Sequence, residues 1–138
     1  MIEVVLDASV VLKWFAPQQR GSAEAREIRR EYEAGQVSVT VPGLFFLEML
    51  NVAGRRWGWD EEALLQLAAG LEDLLFEVAE PDLGSIASWV ARGLTAYDAA
   101  YVALAGQLRQ PLVTDDQTIV EIAGEIARPL VGEGATGS

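Results

Sequence analysis

The sequence predicts an α/β fold built on a central, mostly parallel sheet of four to five strands. Three observations predict it. Short runs rich in β-branched residues recur at 2–6, 37–41 and 111–114, separated by stretches with apolar residues at helical spacing. Residues suited to helix N-caps directly follow the first and last of these runs. The chain has 138 residues and is 51% apolar, which suits one compact domain with a sizeable core.

Ile2-Glu3-Val4-Val5-Leu6 reads as a buried first strand, and Asp7 as the N-cap of a short helix running to Phe15 and stopped by Pro17. Residues 21–34 are charged and alanine-rich, with Ala25, Ile28 and Tyr32 at helical spacing and Gly35 as the stop. Val37-Ser38-Val39-Thr40-Val41 alternates like a second strand. Pro42-Gly43 opens an apolar helix over 44–56, and Trp57-Gly58-Trp59 turns the chain. Asp60-Glu61-Glu62 caps a helix with Leu64, Leu67, Ala68, Leu71 and Leu75 on one face. Phe76-Glu77-Val78-Ala79 reads as a short third strand. Pro81-Asp82 begins a helix to Arg92, broken by Gly93; Thr95 starts another, to Arg109, with Tyr97, Tyr101, Leu104 and Leu108 on its apolar face. Pro111-Leu112-Val113-Thr114 is a fourth strand. Asp115 or Asp116 caps a helix through Ala127, and Pro129-Leu130-Val131 reads as a short edge strand. No repeat or linker divides the chain, so one domain is expected over 1–131, with residues 132–138 as a disordered tail.

Composition narrows the chemistry. There is no cysteine, hence no disulfide or thiolate site, and no histidine, hence no imidazole base or ligand. Lys13 is the only lysine. Catalysis would have to use carboxylates, hydroxyls, arginines, backbone groups or a metal, and oxygen ligands favour Mg²⁺ or Mn²⁺. The formal charge of −11 argues against a passive nucleic-acid binder. It argues less against a metal-dependent nuclease, because a bound cation reverses the local field. It also suits a basic protein partner. No apolar run reaches 18 residues, and the first residues lack the basic region and cleavage site of a signal peptide. The expected location is therefore the cytoplasm, with no membrane association.

Four acidic motifs stand out: Leu6-Asp7-Ala8-Ser9, Phe46-Leu47-Glu48-Met49, Ala96-Tyr97-Asp98-Ala99 and Thr114-Asp115-Asp116. Each sets an acid in or beside an apolar run, where an ionised carboxylate needs hydrogen bonds, a cation or a proton to offset desolvation. In open α/β sheets the ligand crevice lies beyond the carboxyl ends of the strands. Asp7 and Asp115-Asp116 follow strands directly, and Asp98 begins the helix that feeds the fourth strand. Glu48 needs its helix to pack across that edge. Each also has a purely structural explanation. Asp7 and the Asp115-Asp116 pair could be helix caps, and Thr95-Ala96-Tyr97-Asp98 resembles a capping box. Glu48 is least easily explained so, because it shares its face with Leu44 and Val52, and Asn51 lies one turn on. Arg55-Arg56 with Trp57 and Trp59 forms a separate cluster. It reads mainly as a charged helix terminus with packing tryptophans, and otherwise as a contact for RNA or a partner.

In order and spacing these segments resemble the PIN-domain nucleases, in particular the toxins of the VapBC toxin–antitoxin systems. The matching pieces run from Val5 to Phe15, from Val41 to Asn51, from Leu94 to Ala105 and from Pro111 to Asp116, and the likeness covers nearly the whole chain, about Val4 to Val131. No single piece is specific; their order and strand context together are. The resemblance implies a PIN-like three-layer sandwich. It implies an acidic quartet of Asp7, Glu48, Asp98 and Asp116 that binds Mg²⁺ or Mn²⁺, with Asp7 and Asp98 as principal ligands. It places Asp116 at the last position of a Thr-x-Asp element and Asp115 at its variable middle position. Ser9 and Thr114 match small hydroxyl positions, and Asn51 a polar position after the helix glutamate. It further implies metal-dependent RNA cleavage by an activated water, a homodimer, and inhibition by a cognate VapB-type antitoxin with a basic segment. Competing readings are an interaction module without nuclease activity, and a PIN nuclease of RNA processing rather than a toxin. A phosphoacceptor receiver domain fits poorly: Glu80-Pro81-Asp82 follows the third strand, and the only lysine lies near the start.

Overall fold

The computed structural model describes residues 1–15 and 19–132. The expected stop at Pro17 and the tail beyond Gly132 lie outside the described residues. In chain order the elements are β1 (Ile2–Leu6), α1 (Ala8–Phe15), α2 (Ser22–Glu33), β2 (Val37–Val41), α3 (Leu44–Asn51), a π-helical turn (Val52–Arg56), α4 (Glu61–Asp73), β3 (Glu77–Val78), α5 (Leu83–Ala91), α6 (Ala96–Leu108), β4 (Leu112–Thr114), α7 (Gln117–Ile122) and β5 (Ala127–Pro129). The five strands form one sheet in the order β3-β2-β1-β4-β5, and every neighbouring pair is parallel. The α/β expectation holds, and helices flank the sheet.

The chain leaves β1 toward β2 on one side, and β4 continues the sheet on the other. The gap between the ends of β1 and β4 is thus the switch point at which such sheets bind ligands. A receiver-like sheet would run β2-β1-β3-β4-β5. The order seen here places β3 at an edge and removes that reading.

The core follows the sequence pattern. Val4, Val5 and Leu6 of β1, Val37, Val39 and Val41 of β2, and Leu112 of β4 are buried with Phe45, Met49, Tyr101 and Leu104 from the helices. A parallel sheet covered on both faces needs such near-continuous apolar strands. The Trp14 indole donates to the Ala25 carbonyl at 2.8 Å, which locks α1 to α2. The Tyr32 hydroxyl donates to the Leu74 carbonyl and closes the far side of the core.

Several boundaries differ from the sequence expectation, each for a physical reason. The helix expected over 44–56 is regular only to Asn51 and then widens into the π-turn, where the Trp57 amide donates to the Val52 carbonyl at 3.1 Å, five residues back. Gly54 in that turn faces Leu64 of α4, where an added Cβ would make only ordinary contact at 3.5 Å. Leu75, expected on the apolar face of α4, lies past its end at φ 56° and is 82% exposed. β3 is confined to Glu77–Val78. Tyr97, expected on the apolar face of α6, is instead 66% exposed, because the buried part of that helix begins at Ala99. α7 stops at Ile122, not Ala127, as the chain folds back with the Ile126 and Ala127 amides donating to the Ala123 carbonyl at 2.9 and 2.8 Å. The last strand is accordingly 127–129 rather than 129–131, and Pro129 ends this edge strand instead of opening it.

Candidate active site

β1 delivers Asp7 to the switch point, and its amide donates to the Val113 carbonyl of β4 at 3.1 Å. The Asp7 carboxylate is buried. Its Oδ2 accepts the Ser9 hydroxyl at 2.7 Å and the Thr114 hydroxyl at 2.8 Å. Those hydroxyls are used twice: Ser9 Oγ accepts the Asp115 amide at 3.0 Å, and Thr114 Oγ1 accepts the Asp116 amide at 3.0 Å. Ser9 and Thr114 therefore orient Asp7 and tie down the loop that carries Asp116. Asp7 is not merely a helix cap.

α3 places Glu48 across the same edge. Its N-terminus is held by Glu80, whose Oε1 accepts the Gly43 amide at 2.6 Å. A Cβ at Gly43 would stand 3.2 Å from that oxygen, so glycine permits the close approach. Thr95 caps α6 by accepting the Asp98 amide at 3.1 Å, and Asp116 caps α7 by accepting the Ile119 amide at 3.2 Å. The cap explanation is thus correct for Asp116, and Asp98 sits three residues after its cap. In neither case does it exclude a further role, because Asp7, Glu48, Asp98 and Asp116 all line one cavity of about 320 Å³. Ser9 and Asn51 line it too. Thr114 and Asp115 do not.

Asp115 has a different role. Its Oδ2 lies 3.1 Å from Nζ of Lys13, whose side chain is only 7% exposed. The chain's one lysine is spent on that ion pair, with Gln19 Oε1 3.5 Å away. The distinction between the two adjacent aspartates is therefore geometric: one faces the cavity, and the other holds α1 against the β4–α7 loop.

The cavity is electrostatically strained. Burial raises the pKa of Asp7, partly offset by the Ser9 and Thr114 hydroxyls. Burial, then the charges of Asp7 and Asp116, raises that of Asp98. Burial, with Asp7 and Asp98 nearby, pushes Glu48 up to about 7. The Tyr101 hydroxyl lies close enough to favour the ionised form of Glu48, yet the two are not aligned as a hydrogen bond. Glu48 Oε1 and the Tyr101 hydroxyl are both buried without a hydrogen-bond partner among the described residues. The tyrosine's own pKa is raised, by burial and then by Glu48 and Asp7, so it stays protonated.

A buried carboxylate oxygen with no donor, among three other acids, is a setting that a hard cation would relieve. No three acidic side chains among the described residues are arranged to hold a metal ion as they stand. They ring a shared cavity without closing on a point. The oxygen donor set nevertheless fits Mg²⁺ or Mn²⁺ in kind.

The shifts have a consequence for stability. Below about pH 4.5, the ordinary value, Glu48 is protonated in both folded and unfolded chains, and its burial carries no charge penalty. Between there and about pH 7 the unfolded chain releases the proton while the folded chain keeps it, so stability falls as pH rises. Glu48→Gln removes that penalty. In EDTA the variant should melt above the wild-type protein at pH 8, and the gap should close as the pH approaches 4.5. A pH-independent gap in a thermal melt would rule out this origin.

The sequence does not single out Tyr101 as a site residue, and it marks Arg55-Arg56 only as a charged helix terminus or a contact for RNA or a partner. Tyr101 reads as one more apolar-face residue, and no local signal marks its hydroxyl as facing Glu48. Arg56 lines the acid cavity, and Arg55 lines an adjoining groove of about 810 Å³. Their adjacency was visible, but not their placement. Trp57 and Trp59 do pack as expected, with ring centroids 5.3 Å apart and both partly buried against the core.

Fold and site together define a class: a parallel α/β domain whose switch-point crevice is lined by carboxylates. The chain belongs to the PIN-domain family, whose model matches residues 4–125. PIN domains are generally nucleases that use divalent metals. Among solved structures, PAE2754 from Pyrobaculum aerophilum is similar at 22% identity and TM-score 0.67, over 94% of this chain and 90% of that one. FitAcB from Neisseria gonorrhoeae is similar at 16% identity and TM-score 0.68, over 90% and 95%. FitAB bound to an IR36 DNA fragment matches at 17% identity and TM-score 0.57, over 92% and 94%. At such identities the likeness is one of fold. No curated protein matches the chain. No helix among the described residues is long and apolar enough to cross a membrane.

Proposed function

We propose that this protein is a Mg²⁺- or Mn²⁺-dependent endoribonuclease that hydrolyses RNA phosphodiester bonds and serves as the VapC-type toxin of a type II toxin–antitoxin pair. The observation that carries the reading is the convergence of Asp7, Glu48, Asp98 and Asp116, from four separate elements, on one cavity. Family membership and the order of the four motifs support it. Asp7 and Asp98 would be the principal ligands, with Glu48 and Asp116 completing the set. When bound, a divalent cation would lower the pKa of a coordinated water and offset charge on the phosphate.

The chain's own groups then have distinct tasks. Ser9 and Thr114 hold Asp7 in one orientation. Asn51, on the cavity wall one turn from Glu48, offers an uncharged amide to the substrate. Glu48, with its pKa near neutrality, would release a proton as the site fills. No protein nucleophile is needed, in keeping with a chain that lacks histidine and cysteine.

In the same reading the protein is a cytoplasmic homodimer. Its partner is a VapB-type antitoxin whose basic segment suits the −11 charge and sets an arginine among the carboxylates. A neighbouring reading frame for a small DNA-binding protein with such a tail is the expected genomic context. Its absence would remove the toxin assignment and leave the nuclease. The nuclease itself is tested by incubating labelled RNA with purified protein: cleavage should need Mn²⁺ or Mg²⁺ and stop in EDTA. Metal-independent cleavage would overturn the proposal.

A further inference from the structure

We propose that Arg56 is a substrate-binding residue that grips an RNA phosphate at the acid cavity, and that Arg55 takes a neighbouring phosphate along the adjoining groove. The inference rests on the nuclease reading and extends it to the path of the strand.

Arg56 is the one basic residue on the wall of the cavity that the four acids line. It is exposed, and among the described residues no hydrogen bond or ion pair holds it. Lys13, Arg29, Arg30 and Arg92 are held in ion pairs, and Arg128 donates to backbone carbonyls. Arg20, Arg26 and Arg109 have no such partner among the described residues either, but none of them lines the acid cavity or its groove. A free guanidinium at a carboxylate-lined cavity, on a chain of net charge −11, is positioned for an anion brought from outside.

The π-turn accounts for its placement. In a regular helix, two turns beyond Glu48 bring residue 55 onto the same face. A π-turn absorbs one extra residue, so that face passes to residue 56. Arg56 then lines the acid cavity, while Arg55 is turned onto the groove, which shares Glu48, Asn51 and Asp98 with that cavity. Tyr97, next to Asp98 and 66% exposed, lines the same groove. Two arginines for phosphates and an exposed aromatic ring for a base are the elements of a single-stranded nucleic-acid track. Two positive charges along this track favour an anionic strand as its occupant, while the four carboxylates of the cavity stay open to an antitoxin arginine.

The test is fluorescence anisotropy with a fluorescein-labelled, mixed-sequence 12-mer RNA in Mg²⁺, on the Asp98→Asn background so that the probe stays intact. Arg56→Ala should weaken binding about 10-fold and make the salt slope shallower by about 0.7, the release expected for one single-strand phosphate contact. Arg56→Lys should keep the slope and lose only part of the affinity. Arg30→Ala, which removes the same charge from α2, should change neither. Unchanged affinity and slope in a folded Arg56→Ala protein would overturn the inference, as would an effect on poly-glutamate binding without one on RNA. Cleavage of the same RNA by the otherwise wild-type protein in Mn²⁺ reads the nuclease separately. Arg56-dependent binding without cleavage would sink the nuclease and spare the inference; cleavage with an unchanged KM in Arg56→Ala would do the reverse.

Discussion

Asp98→Asn is expected to lower RNA cleavage by on the order of 100-fold or more, since even outer-shell partners of a metal cost 10–100-fold when lost. The fold should survive. Thr95 caps α6 through the Asp98 backbone amide, which asparagine retains. The substitution also removes a half-buried charge that faces Asp7 and Asp116 and whose pKa burial has raised. In EDTA at pH 8 the variant should therefore be at least as heat-stable as the wild-type protein. Loss of activity without loss of stability separates a functional carboxylate from a structural one. Full cleavage by a folded Asp98→Asn protein would remove Asp98 from the site.

Asp115→Ala should have the opposite signature. Lys13 is 7% exposed, and its ammonium lies 3.1 Å from Asp115. Deleting the aspartate leaves a buried cation whose remaining partner among the described residues is Gln19 at 3.5 Å. Breaking a buried pair from one side costs about 3 kcal/mol or more. Removing both charges with apolar replacements should recover much of that, so Lys13→Met with Asp115→Leu is expected to be more stable than Asp115→Ala alone. Urea denaturation of the three variants measures this. A loss below about 1 kcal/mol for Asp115→Ala would show that the pair contributes no more than an exposed salt bridge. Since Asp115 does not line the acid cavity, residual activity should follow the folded fraction.

Much of this arrangement was legible because it is written in local pattern. β1 and β2 are apolar runs that could hardly be anything else, and Gly35 and Thr95 mark helix ends by their own chemistry. The acids lie where those elements end. What escaped is decided by contacts between distant parts of the chain. The turn at Val52–Arg56 is not visible in helical periodicity, because Leu50, Val52 and Ala53 would suit a regular helix equally well. It moved Arg56, not Arg55, onto the acid cavity. The sequence puts the last strand two residues later than it lies, since nothing in Ile122-Ala123-Gly124 announces that the chain folds back so tightly. Tyr101 and Glu48 are 53 positions apart and meet only in the folded chain. Asp115 and Asp116 are alike as letters. Only Lys13, 102 residues earlier, separates them.

The central claim is that four carboxylates from separate elements form one divalent-cation site. Calorimetric titration with Mn²⁺, repeated in two buffers of different ionisation enthalpy, tests it most directly. Because Glu48 holds its proton up to about pH 7, binding should be saturable and should release protons, more at pH 6.5 than at pH 8. Asp7→Asn and Asp98→Asn should each weaken it severely. No saturable binding, or binding that both folded variants retain unchanged, would contradict the account.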